Sequence, residues 1–318
     1  MFRTVALHVQ KMNRIHTDTV RNAPDLKTEK SMPSLPAAAE GFPYAEDPLL
    51  QEAAALRALP QFERAVREYT HGLARFREAP RLINKITSYE SRFRVVGYLL
   101  YLHADRERFG PEGGATYGRL LELCTRRQEV NPRVLKTTLT LLKLTRFVVT
   151  QRHATDGRSM YYRPTPRMYG FINQWLAYAV GALDVLLPHL QCGQRLQGDP
   201  TFVDRFLVSG GRDHIDGTPP ADHMPEFIAF FGQREGAGAL IVATMLAFLE
   251  EAPLPSRERI ARRFGLSKTQ VSNLISEGGK LGFFELNTKG VPSPTVRLHD
   301  AYRRWISIEL AYYARHMR

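Results

Sequence analysis

The chain has 318 residues, enough for two ordinary domains. It carries 44 Lys and Arg against 32 Asp and Glu, a formal charge of +12 with a pI near 9.8, so a polyanion partner is expected, nucleic acid before membrane. Cys124 and Cys192 have neither zinc-ligand nor disulfide-framework spacing, and no apolar run reaches the length of a membrane span, which sets aside a disulfide scaffold, a zinc module and a membrane protein in favour of a cytoplasmic one.

Residues 1–45 lack helical or strand period and carry Pro33, Pro36 and Pro43, so a disordered tail is expected. Met12 and Met32 are in-frame alternatives for the start, no continuous apolar core suggests a signal peptide, and Arg3, Lys11, Arg14 and Arg21 could form a DNA-touching arm. Residues 46–80 read as a helical arm: two amphipathic helices over 47–79 divided by Pro60, supporting the next domain or holding a dimer together.

Residues 81–191 read as a first domain. The spacing predicts a helix over Arg92–Arg108, then a helix pair over Thr116–Thr125 and Asn131–Thr145, with Asn131 as cap and Pro132 at the first helical position. Leu135, Leu139 and Leu142 point to the core, leaving Arg133, Lys136, Thr137 and Thr140 outward. The period then changes to that of two strands, Phe147–Arg152 and Ser159–Arg163, joined through Asp156-Gly157. A long apolar helix follows over 166–190. The hairpin, its Asp156-x-Arg158 pair, the preceding helix pair and the following helix, in that order, resemble the wing region of the MarR family. The resemblance implies that Arg158 enters a minor groove while Asp156 holds it. The other reading is a surface hairpin with a local ion pair.

Residues 192–224, rich in Gly, Asp and Pro, read as a linker with one short helix at Pro200–Leu207. Asp213, His214, Asp216, Asp222 and His223 lie close together there, in a spacing that matches no metal motif, so no metal and no cofactor is expected. Residues 225–318 repeat the plan of 81–190: a helix over Gly236–Leu249, a helix pair, strands at Phe283–Leu286 and Thr295–Leu298 with Lys289-Gly290 at the tip, and a closing helix over His299–His316. Ser256 and Ser267 are caps, Gly265 ends the first helix of the pair, and Ile260, Ala261, Phe264, Val271, Leu274 and Ile275 face inward. Ala261, Gly265, Ser267, Val271, Leu274, Gly282 and Phe283-Phe284 together resemble the helix-turn-helix of bacterial winged-helix repressors. Gly278-Gly279 departs from that pattern and predicts a frayed or shortened second helix.

The expected fold is mainly α: two winged helix-turn-helix units, each a three-helix core with a small β-hairpin wing and each followed by a long helix. Charge follows these units, with ten Lys and Arg against three acids over 119–163 and twelve against five over 257–318, while acids collect in 166–251. The resemblance implies a MarR-like transcriptional regulator that binds double-stranded DNA, the two units acting as a monomeric pseudo-dimer or the chain forming a homodimer. The expected contacts are Arg126, Arg127, Asn131, Arg133, Lys136, Thr137, Thr140, Arg152, His153 and Arg158 in the first unit. In the second they are Arg262, Arg263, Ser267, Lys268, Thr269, Gln270, Ser272, Asn273 and Lys289. A plasmid-type replication initiator and a structural adaptor are the alternatives. No phosphate loop, zinc set or GxSxG occurs, so no enzymatic activity is expected. Tyr161, Tyr162, Tyr169, Trp175 and Tyr178 on the seam beside the long helix could take a small aromatic ligand, as MarR-like proteins do, or form an aromatic core.

Overall fold

Side-chain caps set many of the helix starts. In a computed structural model describing residues 47–78, 81–126, 128, 130–152, 160–286 and 291–318, there are fifteen α-helices and two small antiparallel hairpins among the described residues. The expected tail, Arg127, and both hairpin tips with His153, Asp156, Arg158 and Lys289 lie outside them. Asp47 opens α1 (Pro48–Arg57), followed by α2 (Phe62–Arg77), α3 (Arg81–Thr87), α4 (Glu90–Ala104) and α5 (Arg106–Phe109). Helix α6 (Tyr117–Arg126) leads to α7 (Pro132–Leu144), where the Asn131 side chain accepts from the Val134 amide at 2.9 Å. Strands β1 (Val148–Arg152) and β2 (Met160–Pro164) precede α8 (Pro166–Leu186). Then come α9 (Cys192–Gly198), α10 (Phe202–Asp216), α11 (Pro225–Phe231) and α12 (Ala237–Leu249). The chain closes with α13 (Arg257–Phe264), α14 (Lys268–Lys280), β3 (Phe284–Leu286), β4 (Pro292–Pro294) and α15 (Val296–His316). Gly265 ends α13 at φ 70°, a left-handed conformation that glycine adopts at little cost.

The two halves repeat at the level of single hydrogen bonds. Helix α3 packs on α4 as α11 does on α12, α7 on β1 as α14 on β3, and α4 on β2 as α12 on β4. Where α7 ends, the Phe147 amide reaches the Leu142 carbonyl at 2.9 Å; where α14 ends, the Phe283 amide reaches the Gly278 carbonyl at 2.8 Å. The Thr165 hydroxyl donates to the Arg146 carbonyl at 2.8 Å, and the Thr295 hydroxyl donates to the Gly282 carbonyl at 2.6 Å. Each threonine also caps its long helix, and Arg167 and Arg297 lie over Phe147 and Phe283 at 5.6 and 5.5 Å. The equivalence exposes a shared signature, Pro164-Thr165-x-Arg167 and Pro294-Thr295-x-Arg297, with Trp175 and Trp305 at matching positions downstream. It also corrects the second hairpin. The strand expected at Thr295–Leu298 is β4 at Pro292–Pro294, because Thr295 is a helix cap and α15 begins at once.

The repeats are not separate domains. The described residues from Asp47 to Arg318 belong to one unit around one hydrophobic core. Helix α2 runs through it, packing on α8, α12 and α15, while α1 packs on α15. The Thr70 and Tyr302 hydroxyls meet at 3.0 Å in that interior. The two helices α1 and α2 are thus packed into this core, as the expected support would be. Residues 192–224, expected as a linker, are folded. Helix α10 runs fifteen residues and packs on α4 and α15. Its glycines permit close approach: a Cβ on Gly211 would lie 2.6 Å from the Tyr101 Cβ on α4, and one on Gly210 2.9 Å from the Tyr312 hydroxyl on α15. Arg212 then clamps Asp105 with two hydrogen bonds of 3.0 and 2.9 Å. The fraying expected at Gly278-Gly279 does not occur. Helix α14 continues to Lys280, and Gly278 is where the Phe284 ring packs, 2.5 Å from a hypothetical Cβ.

Candidate nucleic-acid interface

The outer face of α7 is cationic and unpaired. Leu135, Thr138, Leu139 and Leu142 bury one side of the helix, which leaves Asn131, Arg133, Lys136, Thr137, Thr140 and Lys143 exposed on the other. Just beyond it, Arg146 and Arg152 are exposed as well. Arg133, Lys136, Arg146 and Arg152 make no ion pair among the described residues, so their charges are free for an external anion. Thr137 and Thr140 donate to the Arg133 and Lys136 carbonyls at 2.9 and 3.0 Å, which leaves hydroxyl lone pairs and methyl groups outward. Arg126 is partly engaged with Asp216 at 3.5 Å. Arg146 was not singled out from the sequence. Its signal is conformational: it holds φ 56° at the position where the second repeat uses Gly282 at φ 73°. A large side chain in a left-handed conformation stores strain, and such strain gathers at functional sites.

The matching face of α14 is largely self-paired. Ser267 spends its side-chain oxygen on the Gln270 amide at 3.0 Å. Lys268 pairs with Glu258 at 3.0 Å, a contact that holds the Glu258 carboxyl below its ordinary range. Gln270, expected to face outward, turns in and donates to the Glu235 carbonyl at 2.8 Å. Ser272 accepts from Arg257 at 3.3 Å. Arg263, expected on a phosphate, lies over Phe264 and pairs with Glu78 at 2.6 Å. Thr269 and Asn273 stay exposed and without a partner among the described residues, and Arg262 is exposed, with only a charge attraction to Glu258. The two faces, alike in backbone, therefore differ in charge: α7 offers free cations, and α14 offers Thr269, Asn273 and Arg262.

The acids and histidines of 213–223 are engaged with other parts of the chain. Asp213 receives His316 at 3.1 Å and Arg315 at 3.8 Å, Asp222 receives Arg94 at 2.8 Å, and His223 approaches Asp47 at 3.6 Å. No group of three or more potential metal ligands is found among the described residues. Of the five aromatics expected on a ligand seam, Trp175 lines a cavity in the core, while Tyr162 meets Lys143 and Tyr178 meets Gln174. Tyr169 donates to Asp204 at 3.2 Å, and burial beside that carboxylate pushes its hydroxyl up to about 12. No described helix is long and apolar enough to cross a membrane. Compared with family models, curated proteins and solved structures, the chain finds no match.

Proposed function

We propose that this chain is a sequence-specific double-stranded DNA-binding protein, a transcriptional regulator of the MarR-like kind, with two winged helix-turn-helix units in one chain. The observation that carries the reading is the row of unpaired cations along α7 and into β1: Arg133, Lys136, Arg146 and Arg152. A capped helix whose first exposed turns carry Arg, Lys and Thr offers side chains of the kind that bond guanine edges, thymine methyls and phosphates in a major groove. In this reading the hairpin after it follows the adjacent backbone.

The repeat supports a pseudo-dimer. Helices α8 and α15, which close the two units, touch in the core, with the Trp175 and Tyr313 rings 5.8 Å apart and Tyr313 reaching Trp305 through Tyr69. In this reading one chain presents two recognition helices of unlike chemistry, so its site is asymmetric: α7 supplies most of the phosphate attraction, and α14 reads through Thr269 and Asn273. Selection of random duplexes by the purified chain, with light scattering of the complex, tests this. A monomer on an unsymmetrical motif is expected. No enriched motif defeats the DNA reading, and a dimer on a palindrome defeats the pseudo-dimer.

A further inference from the structure

A cavity of about 150 Å³ lies between α4, α8, α10 and α15, away from the α7 face. Engineered apolar cavities of roughly this size hold a benzene-sized molecule. Its wall is a run of rings. Trp175 stands edge-on to Phe93 at 5.3 Å and to Tyr313 at 5.8 Å, and Phe206 lies 5.8 Å from Tyr313. Among these rings stands the carboxyl of Glu309, which makes no ion pair among the described residues. The lining also holds one arginine, Arg94, and it is already engaged, by Glu90 at 2.9 Å and Asp222 at 2.8 Å. The other base of the lining is His214, edge-on to Tyr98 at 5.7 Å, so the carboxyl that no cation pairs with among the described residues is that of Glu309, set among aromatic faces.

We propose that this cavity is a binding site for a small organic cation, an aromatic or alkyl ammonium, with Glu309 as its counter-ion and the Phe93, Trp175 and Tyr313 rings around its charged head. A carboxylate enclosed with no cation beside it is costly to charge even with hydrogen bonds from Trp305 and Tyr313, and the protein meets that cost by holding a proton: burial pushes Glu309 up to about 8, with Glu90 adding to the rise. A cation offers the other solution. It pairs with the carboxylate, the proton leaves to solvent, and the ring faces attract the charge. An anion gains no charge partner from Glu309 in either protonation state and finds Arg94 already occupied by Glu90 and Asp222. Such binding stands whether or not the chain binds DNA.

The test titrates benzylammonium, benzyl alcohol and phenylacetate into the full chain, followed by calorimetry and by tryptophan fluorescence. The cation is expected to bind at least tenfold more tightly than either control. Glu309→Gln should remove that tenfold preference while leaving benzyl alcohol binding unchanged. A second variant guards against misfolding. Gly97 borders the cavity, and a Cβ there meets nothing within 4 Å, so Gly97→Leu should fold and abolish binding of the cation. Absence of binding by the cation, equal or tighter binding of phenylacetate, an unchanged preference in Glu309→Gln, or full binding in Gly97→Leu would each overturn the proposal.

Discussion

Replacing Arg146 by glycine should make the protein more stable and a poorer DNA binder. The residue holds φ 56°, while its counterpart Gly282 holds φ 73° in the same turn between a helix and a hairpin. A left-handed conformation costs a residue with a Cβ roughly 1–2 kcal/mol, and glycine gives back roughly 0.5–1 kcal/mol through the extra freedom of the unfolded chain. The net gain for Arg146→Gly is therefore about 0.5–1 kcal/mol. No side-chain contact offsets it, because Arg146 is exposed and makes no ion pair among the described residues. The reverse change, Gly282→Ala, should cost about 1 kcal/mol from the backbone alone. Space is not the obstacle there, since the nearest atoms to a new Cβ are those of Arg297 at 3.8 Å. Urea denaturation reads both effects. On a selected duplex, loss of one phosphate contact should make the salt slope shallower by about one unit. A less stable Arg146→Gly would refute the strain argument, and an unchanged salt slope would refute the phosphate role.

Arg133→Ala with Lys136→Ala should weaken binding to a selected site more than Lys268→Ala does, because Lys268 is already paired with Glu258; fluorescence anisotropy ranks them, and a larger loss for Lys268→Ala would reverse the assignment of the two faces. The whole chain should lose affinity steeply with salt, with a log–log slope of about −5 or steeper, measured by the same titration at several ionic strengths. Gly211→Ala should destabilise the fold by about 1–3 kcal/mol in urea, since the new Cβ meets the Tyr101 Cβ at 2.6 Å and neither helix can yield freely. Glu309, held up to about 8 by burial, stabilises the fold in its protonated form. That contribution is whole below the unfolded value near 4.5 and is lost as pH rises through about 8, so wild type should lose stability against Glu309→Gln across this window, by about 1 kcal/mol per pH unit at most. Parallel denaturation curves for the two proteins at pH 5 and pH 9 would contradict it.

Local signals in the sequence determined most of the helices. Asn131, Ser256 and Ser267 cap where the chain predicts, because capping joins a side chain to an amide two or three residues away and needs nothing distant. Gly265 ends α13 for the same reason, and the apolar period placed the buried faces of α7 and α14. The repeated Pro-Thr-x-Arg signature with its downstream tryptophan was also present in the letters, yet it gained meaning only when Thr165 and Thr295 were seen making the same bonds. Tertiary structure decided what distance in the chain conceals. Gly210 and Gly211 read as flexible linker but are contact points, since a glycine that frees a loop and one that lets two helices touch look alike until the partner, Tyr101 or Tyr312, is in place. The segments around α7 and α14 carry the same excess of positive charge in the sequence, ten Lys and Arg against three acids and twelve against five. Pairing of Lys268 with Glu258 and of Arg263 with Glu78 neutralised cations of one and left Arg133, Lys136, Arg146 and Arg152 of the other without an ion pair among the described residues, because electrostatic attraction depends on where charges meet in space and not on how many a segment carries.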